Sequence, residues 1–233
     1  MKYEEFKKYI NHADDMERWQ AESAEGVFSY GQIKPKIFYR IISIKYNEDV
    51  LQRCPHIRFF DTAITFRWLF HQDSNGISSA LIEHKHLEYW EIGEEELIRA
   101  AVFNTPRLFP LKRCRILDVL RQWVDLGGPN LPLYVMTNTM GINGAATLFY
   151  QGALKAFADE IAGDFYILPS SIHEILLIGT KEVKFPQDLY EMVREANQTV
   201  VSKSEFLSDQ VFYYDRERRK LSLLDHVEKE ESL

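Results

Sequence analysis

The chain has 233 residues, 45% of them hydrophobic and 27% charged, which is enough to bury a core as one large domain or two small ones. Its formal charge of -7 disfavours a nucleic-acid binder, whose affinity comes from lysine and arginine set against phosphate. No run of about 18 apolar residues and no apolar N-terminal segment marks a membrane span or a signal peptide, so the expected compartment is the cytoplasm.

Residues 2–25 carry Tyr3, Phe6, Ile10, Met16 and Trp19 among many charges, a spacing that predicts one amphipathic helix or two short ones. Residues 27–30 and 37–46 read as paired strands, the second rich in β-branched and aromatic side chains and bounded by Pro35 and Asn47. Residues 49–55 connect to a strand over 59–71 that places Ile64, Phe66, Trp68 and Phe70 on one side, with Asp61 and Thr65 opposite. A turn at 73–76 returns the chain into residues 77–82. Residues 84–90 suit a short helix, and Glu94, Glu95 and Glu96 open a longer one at the end where the helix dipole favours acids. Its inward face would hold Leu97, Ala100, Ala101 and Asn104. Residues 115–123 repeat the helical spacing through Ile116, Val119, Leu120 and Trp123. Two glycines and two prolines within 125–132 then mark a boundary. The expected organisation is an N-terminal lobe over 1–127, a C-terminal lobe over 133–225 and a disordered tail over 226–233.

The second lobe opens with a strand at 133–138 and a helix burying Ala145, Phe149, Ala153, Ala156, Phe157 and Ile161. Within residues 164–179, Phe165 to Leu168 and then Ile172 and Ile175 to Ile178 put apolar side chains on both faces around Pro169-Ser170-Ser171, so the stretch reads as a hairpin of central strands covered above and below. Pro186 starts a further helix with a Leu189, Met192, Val193 and Ala196 stripe. Residues 211–214 and 220–224 form a last hairpin. The fold class is therefore α+β, with mixed, largely antiparallel sheets, packed helices, two sub-lobes and a central β-hairpin near 164–179.

Several segments resemble a known family in combination. They are Asn143-Gly-Ala-Ala146, the run from Asp164 to Leu177, Met192-Val-Arg-Glu-Ala-Asn197, and Leu207-Ser-Asp209 with Tyr213-Tyr-Asp-Arg216. The order Trp90, then Glu94 to Leu97, then Asn104-Thr105 fits the same pattern. Together, over residues 61–224, they resemble an uncharacterised bacterial family of gut Firmicutes, domain-of-unknown-function family 5688. The resemblance implies a soluble α+β protein and supplies no catalytic residue.

Candidate chemistry is then weighed on the residues themselves. Ser170, Ser171 and His173 bunch beside Glu174, and serine, histidine and a carboxylate are the parts of an acyl-transfer site. On an extended strand Glu174 points away from His173, so Asp209 would have to serve as the acid, and no Gly-x-Ser-x-Gly elbow is present. A turn with a hydrogen-bonded histidine is the competing account. Gly141, Asn143 and Gly144 between strand and helix could offer backbone N–H groups to an anion, against Asn143 as a plain helix cap. His71, Glu83, His84 and His86 could be drawn around a metal, but an i, i+2 histidine pair is commonly bare surface. Cys54 and Cys114 stand alone, which fits neither a zinc ribbon nor a redox dithiol and reads as buried free thiols; no metal and no cofactor is expected. The aromatic residues Phe206, Phe212, Tyr213 and Tyr214 could stack a ligand ring or simply pack a hairpin. The expected function is a non-enzymatic binding or regulatory module using the groove between the lobes, with an unknown protein or small-molecule partner. The alternative is a small serine-type hydrolase using Ser171 and His173.

Overall fold

The structure is a computed structural model and describes residues 3–11, 29–73, 76–117, 132–169 and 171–225. It has the α+β class, with helices and two sheets in which every strand pair among the described residues is antiparallel. The chain divides into two compact units, Met1–Pro110 and Leu111–Leu233. The division precedes the glycine- and proline-rich segment because the strand Leu111–Arg115 pairs with Leu133–Asn138 and so belongs to the second sheet. That strand also replaces the start of the helix expected from residue 115, and most of that helix, like the boundary segment and the tail, lies outside the described residues.

In the first unit, helix Tyr3–Asn11 sets Phe6 edge-on to Tyr39, with ring centres 5.8 Å apart. Strand β1, Ile37–Ser43, is apolar on both faces apart from Arg40 and its last residue, Ser43, and pairs with β3, Thr62–Asp73. Residues 27 and 28 of the partner strand expected at 27–30 lie outside the described residues, and Tyr30–Ile33 is a helical turn followed by a 3-10 turn at Lys34–Lys36. Pro35 fixes its own φ near the helical value and has no N–H for a ladder, which favours turn over strand there. Strand β2, His56–Phe59, joins the other side of β3 through a hairpin in which Phe60 takes a φ of 52°. Strand β4, Gly76–Leu81, also pairs with β3, across a bulge between Leu69 and His71. The bulge adds one residue and reverses the facing beyond it. Ile64, Phe66 and Trp68 are buried as expected, while Phe70 is 48% exposed.

Helices His84–Trp90 and Glu94–Leu108 lie where their patterns place them. The longer one protects the edge of β1 with polar side chains. Thr105 Oγ1 accepts the Tyr39 N–H at 3.0 Å, and Asn104 Nδ2 donates to the carbonyls of Lys34 and Ile37 at 2.7 and 3.1 Å. Unpaired edge groups are thereby satisfied without another strand.

The second unit is a six-stranded sheet in the order β10-β9-β7-β8-β6-β5, in which β5 is Leu111–Arg115, β6 Leu133–Asn138, β7 Phe165–Leu168, β8 Ile175–Gly179, β9 Phe212–Asp215 and β10 Lys220–Leu223. The apolar hairpin β7–β8 is central, with Leu168 opposite Leu176 and Phe165 opposite Gly179. Phe165, Ile167, Ile175 and Leu177 are 0% exposed on one face, where Phe157 of helix Ala153–Ile161 meets Phe165 edge-on at 4.8 Å. On the other face Tyr166, Leu168 and Ile178 pack with Leu189, Tyr190 and Val193 of helix Asp188–Thr199. Each such buried side chain contributes roughly 1.5–3 kcal/mol, which makes this hairpin the main apolar store of the unit.

Two helices depart from their expected form. The single helix expected to bury Ala145 through Ile161 is a fully buried 3-10 segment, Gly144–Phe149, then an extended Tyr150, then Ala153–Ile161. Gly152 at φ +71° makes the break and leaves Ala156 exposed. The inward stripe of Asp188–Thr199 is Leu189, Tyr190 and Val193, whereas Met192 is 48% exposed. Tyr190 spends its hydroxyl on Asp225 at 2.6 Å, so an aromatic residue with a polar tip takes the inward place read from the sequence as methionine's.

Candidate functional site

The residues between β7 and β8 form a looped turn wider than the three-residue reversal expected at 169–171. Ile172 is drawn out of the ladder because its N–H donates to the Glu205 carbonyl at 2.9 Å and its carbonyl accepts the Ala145 N–H at 3.1 Å. Ser171 supports the bend, its Oγ accepting the His173 N–H at 3.0 Å and donating to Glu174 Oε1 at 2.7 Å. These are the short-range bonds by which serine favours turns over strands. Because residues 171–174 are not extended, the opposed facing of Glu174 expected of a strand does not apply. Ser170 lies outside the described residues.

This loop sits against the connection from β6 to Gly144–Phe149. Asn138, 1% exposed, organises that connection, its Oδ1 accepting the Met140 N–H at 2.9 Å and its Nδ2 donating to the Ile142 carbonyl at 2.8 Å. Gly141 and Asn143 both take left-handed backbone, at φ +65° and 54°. Thr137 Oγ1 donates to the His173 carbonyl at 2.7 Å, and the Asn143 N–H donates to His173 Nδ1 at 3.3 Å. Gly144 is the contact point, since a Cβ there would stand 2.0 Å from Thr137 Oγ1 and 2.2 Å from the His173 carbonyl oxygen. Four of the sequence candidates, Ser171, His173, Asn143 and Gly144, thus meet in one hydrogen-bonded cluster.

The bonds also fix what each group can do. As acceptor of an amide proton, Nδ1 of His173 carries the lone pair, which puts the proton of the neutral ring on Nε2. That nitrogen faces Glu205 Oε1 at 3.6 Å, with the two side chains 28% and 45% exposed. The carboxylate beside His173 is therefore Glu205 and not Asp209, which receives the Asn197 amide at 3.1 Å at the end of helix Asp188–Thr199. Acyl transfer by a serine needs its hydroxyl on an imidazole nitrogen. Here both ring nitrogens of His173 face other groups, and the hydroxyl of Ser171, a residue only 5% exposed, is spent on Glu174.

The anion reading at Gly141, Asn143 and Gly144 meets a similar difficulty. The Asn143 and Ala145 N–H groups already donate to His173 and Ile172, and Asn143 precedes the 3-10 segment without a side-chain cap. Elsewhere, His86 accepts the Glu83 N–H at 2.8 Å and stacks on Trp90, while His71 Nε2 lies 3.0 Å from Asp73. Among the described residues no group of three or more histidine, cysteine, aspartate or glutamate side chains could hold a metal ion. Phe206 and Phe212 are core residues, Phe165 stacks on Tyr214, and the Tyr213 hydroxyl donates to Asp164 at 2.8 Å. Burial chiefly, with the Asp164 carboxylate beside it, holds the Tyr213 phenol well above its usual range.

Thr137, Asn138 and Glu205 are members of the cluster that no local pattern marks. Glu205 in particular reaches His173 only through the Ile172 pairing, a long-range contact with no signal in its own neighbourhood.

The model of a family of unknown function, DUF5688, matches residues 2–216. No curated protein and no solved structure matches the chain. No helix among the described residues is long and apolar enough to cross a membrane.

Proposed function

The chain belongs to DUF5688, a family of unknown function, and from the bonding of its polar cluster we propose that it is a non-catalytic binding or regulatory module working in the cytoplasm. The observation that carries this reading is the setting of the His173 ring, with Nδ1 accepting from the Asn143 amide at 3.3 Å, Nε2 facing Glu205 Oε1 at 3.6 Å, and the Ser171 hydroxyl spent on Glu174 and so on neither nitrogen. Such an arrangement orients an imidazole and a carboxylate at a partly exposed corner, where they can donate and accept hydrogen bonds to a protein or small-molecule partner. It lacks the nucleophile–base contact from which covalent chemistry starts.

A fluorophosphonate serine probe and a photo-crosslinking residue separate the two readings. The folded protein should not be labelled by the probe. A crosslinker placed at Glu205 in growing cells should give a discrete adduct that disappears in a His173→Ala background, while one at exposed Met192 should not give it. Labelling abolished by Ser171→Ala, together with turnover of a model ester, would replace this reading with that of a serine-type hydrolase.

A further inference from the structure

The first unit carries a second polar cluster, on the face of its sheet that holds Phe38, Ile42 and Ala63. The register sets Arg40 of β1 directly opposite Thr65 of β3, with His56 of β2 on the other side of Thr65, so three polar side chains stand abreast across three strands. Arg67 follows two residues along β3 on the same face, diagonal to Arg40 and within reach of it. Arg67 is anchored, its Nε donating to Ser79 Oγ at 2.9 Å and an Nη to the Ser79 carbonyl at 2.6 Å.

Arg40 is not. Its Nε is shut off from solvent and has no hydrogen-bond partner, and the same holds for Thr65 Oγ1 on a residue 0% exposed. Among the described residues no carboxylate pairs with Arg40. Glu83, which like Arg40 lies within electrostatic reach of Cys54, is engaged by Arg53 at 3.0 Å and Lys85 at 2.6 Å. Cys54 supplies no counter-charge either, since burial pushes its thiol up to about 11 and keeps it protonated. Burial and the Arg67 charge together lower Arg40 to about 10. Two half-buried guanidinium groups held together without an anion are an expensive arrangement, whereas with one they form a donor set that matches carboxylate and phosphate oxygens.

We propose that Arg40, Arg67 and the Thr65 hydroxyl form a binding site for a small oxyanion, the carboxylate or phosphoryl group of a ligand. The anion lies between the guanidinium of Arg40 and the Nη edge of Arg67 that Ser79 does not occupy, and Thr65 donates a further bond. The site belongs to the first unit and is independent of the reading given to His173.

Calorimetric titration of the full chain with inorganic phosphate and, separately, with malonate at matched ionic strength tests the site and tells the phosphoryl from the carboxylate source. Saturable binding of at least one of them is expected. Arg40→Met should weaken it at least about tenfold, the scale of a lost charge-assisted bond. Thr65→Val should weaken it less, and Arg216→Met on the surface of the second unit should leave it unchanged. Without anion, Arg40→Met should melt no lower than wild type, because it removes an unpaired buried charge; should that variant fail to fold, Arg67→Met is read in its place. Absence of binding by both anions overturns the proposal, as does binding that survives loss of Arg40 or Arg67.

Discussion

Gly144→Ala is the substitution on which the geometry of the His173 cluster bears most heavily. Gly144 does not need unusual backbone freedom; it needs to have no side chain. An added Cβ would stand 2.0 Å from Thr137 Oγ1, 2.2 Å from the His173 carbonyl oxygen and 2.9 Å from Thr137 Cβ, while real Cβ atoms essentially never come within 3.0 Å of another heavy atom. The carbonyl belongs to backbone tied down through Ile172 and Ser171 on one side, so relief requires the two loops to part. Parting them breaks the Thr137–His173 bond at 2.7 Å and the Asn143–His173 bond at 3.3 Å. Overpacking costs about 1–3 kcal/mol and a buried polar group left unpaired a further ~1–3 kcal/mol, so a loss of about 2–6 kcal/mol is expected. Gly141→Ala is the comparison, since a Cβ there meets nothing within 4 Å and only the φ of +65° penalises it, by about 1–2 kcal/mol. Urea denaturation followed by circular dichroism measures both. A Gly144→Ala protein no less stable than Gly141→Ala would refute the packing of the two loops.

Leu177→Asp puts an unpaired carboxylate at a position 0% exposed in the central strand, and should abolish cooperative folding; a soluble variant with a sharp melt would show that β8 is misplaced. Ser171→Ala removes an acceptor of the His173 N–H and the donor to Glu174, and should lower stability by about 1–3 kcal/mol in chemical denaturation; an unchanged midpoint would mean that the hydroxyl does not build the turn. Alkaline titration should destabilise the protein. Burial raises the Tyr150 and Tyr213 phenols above the ordinary tyrosine value of 10.0, so the folded chain keeps protons that the unfolded chain releases. The contribution is whole below pH 10 and is lost as pH rises beyond it. Absorbance at 295 nm should rise late and together with unfolding, whereas full tyrosinate absorbance on a folded chain near pH 11 would contradict this burial.

Strongly periodic apolar segments were readable from the sequence alone. The runs at β7, β8 and β6 and the first-turn glutamates of Glu94–Leu108 mark their elements because local pattern and tertiary burial ask for the same thing there. Where they disagree, local pattern fails. Ala145 through Ile161 has helical spacing, yet Gly152 and the pull of Ile172 on Ala145 divide it. Phe70 alternates correctly until a bulge reverses it. The candidate site was half legible. Serine, histidine and asparagine could be singled out by type, but their bonding depends on Thr137, Asn138 and Glu205, brought in by sheet order that no spacing reveals. Arg40 and Arg67 each interrupt a run that is otherwise buried on both faces, and only the register shows that they share one face.

The central claim, that His173 is a positioned binding group and not a general base for Ser171, is tested most directly by the nitrogen and proton shifts of its ring in a long-range 15N–1H spectrum of the folded protein. The Nε2-protonated tautomer is predicted for the neutral ring, with Nδ1 unprotonated and hydrogen-bond coupling from the Asn143 amide, and Ser171→Ala should leave that tautomer in place. A ring protonated at Nδ1, or a tautomer that changes when the Ser171 hydroxyl is removed, would contradict it.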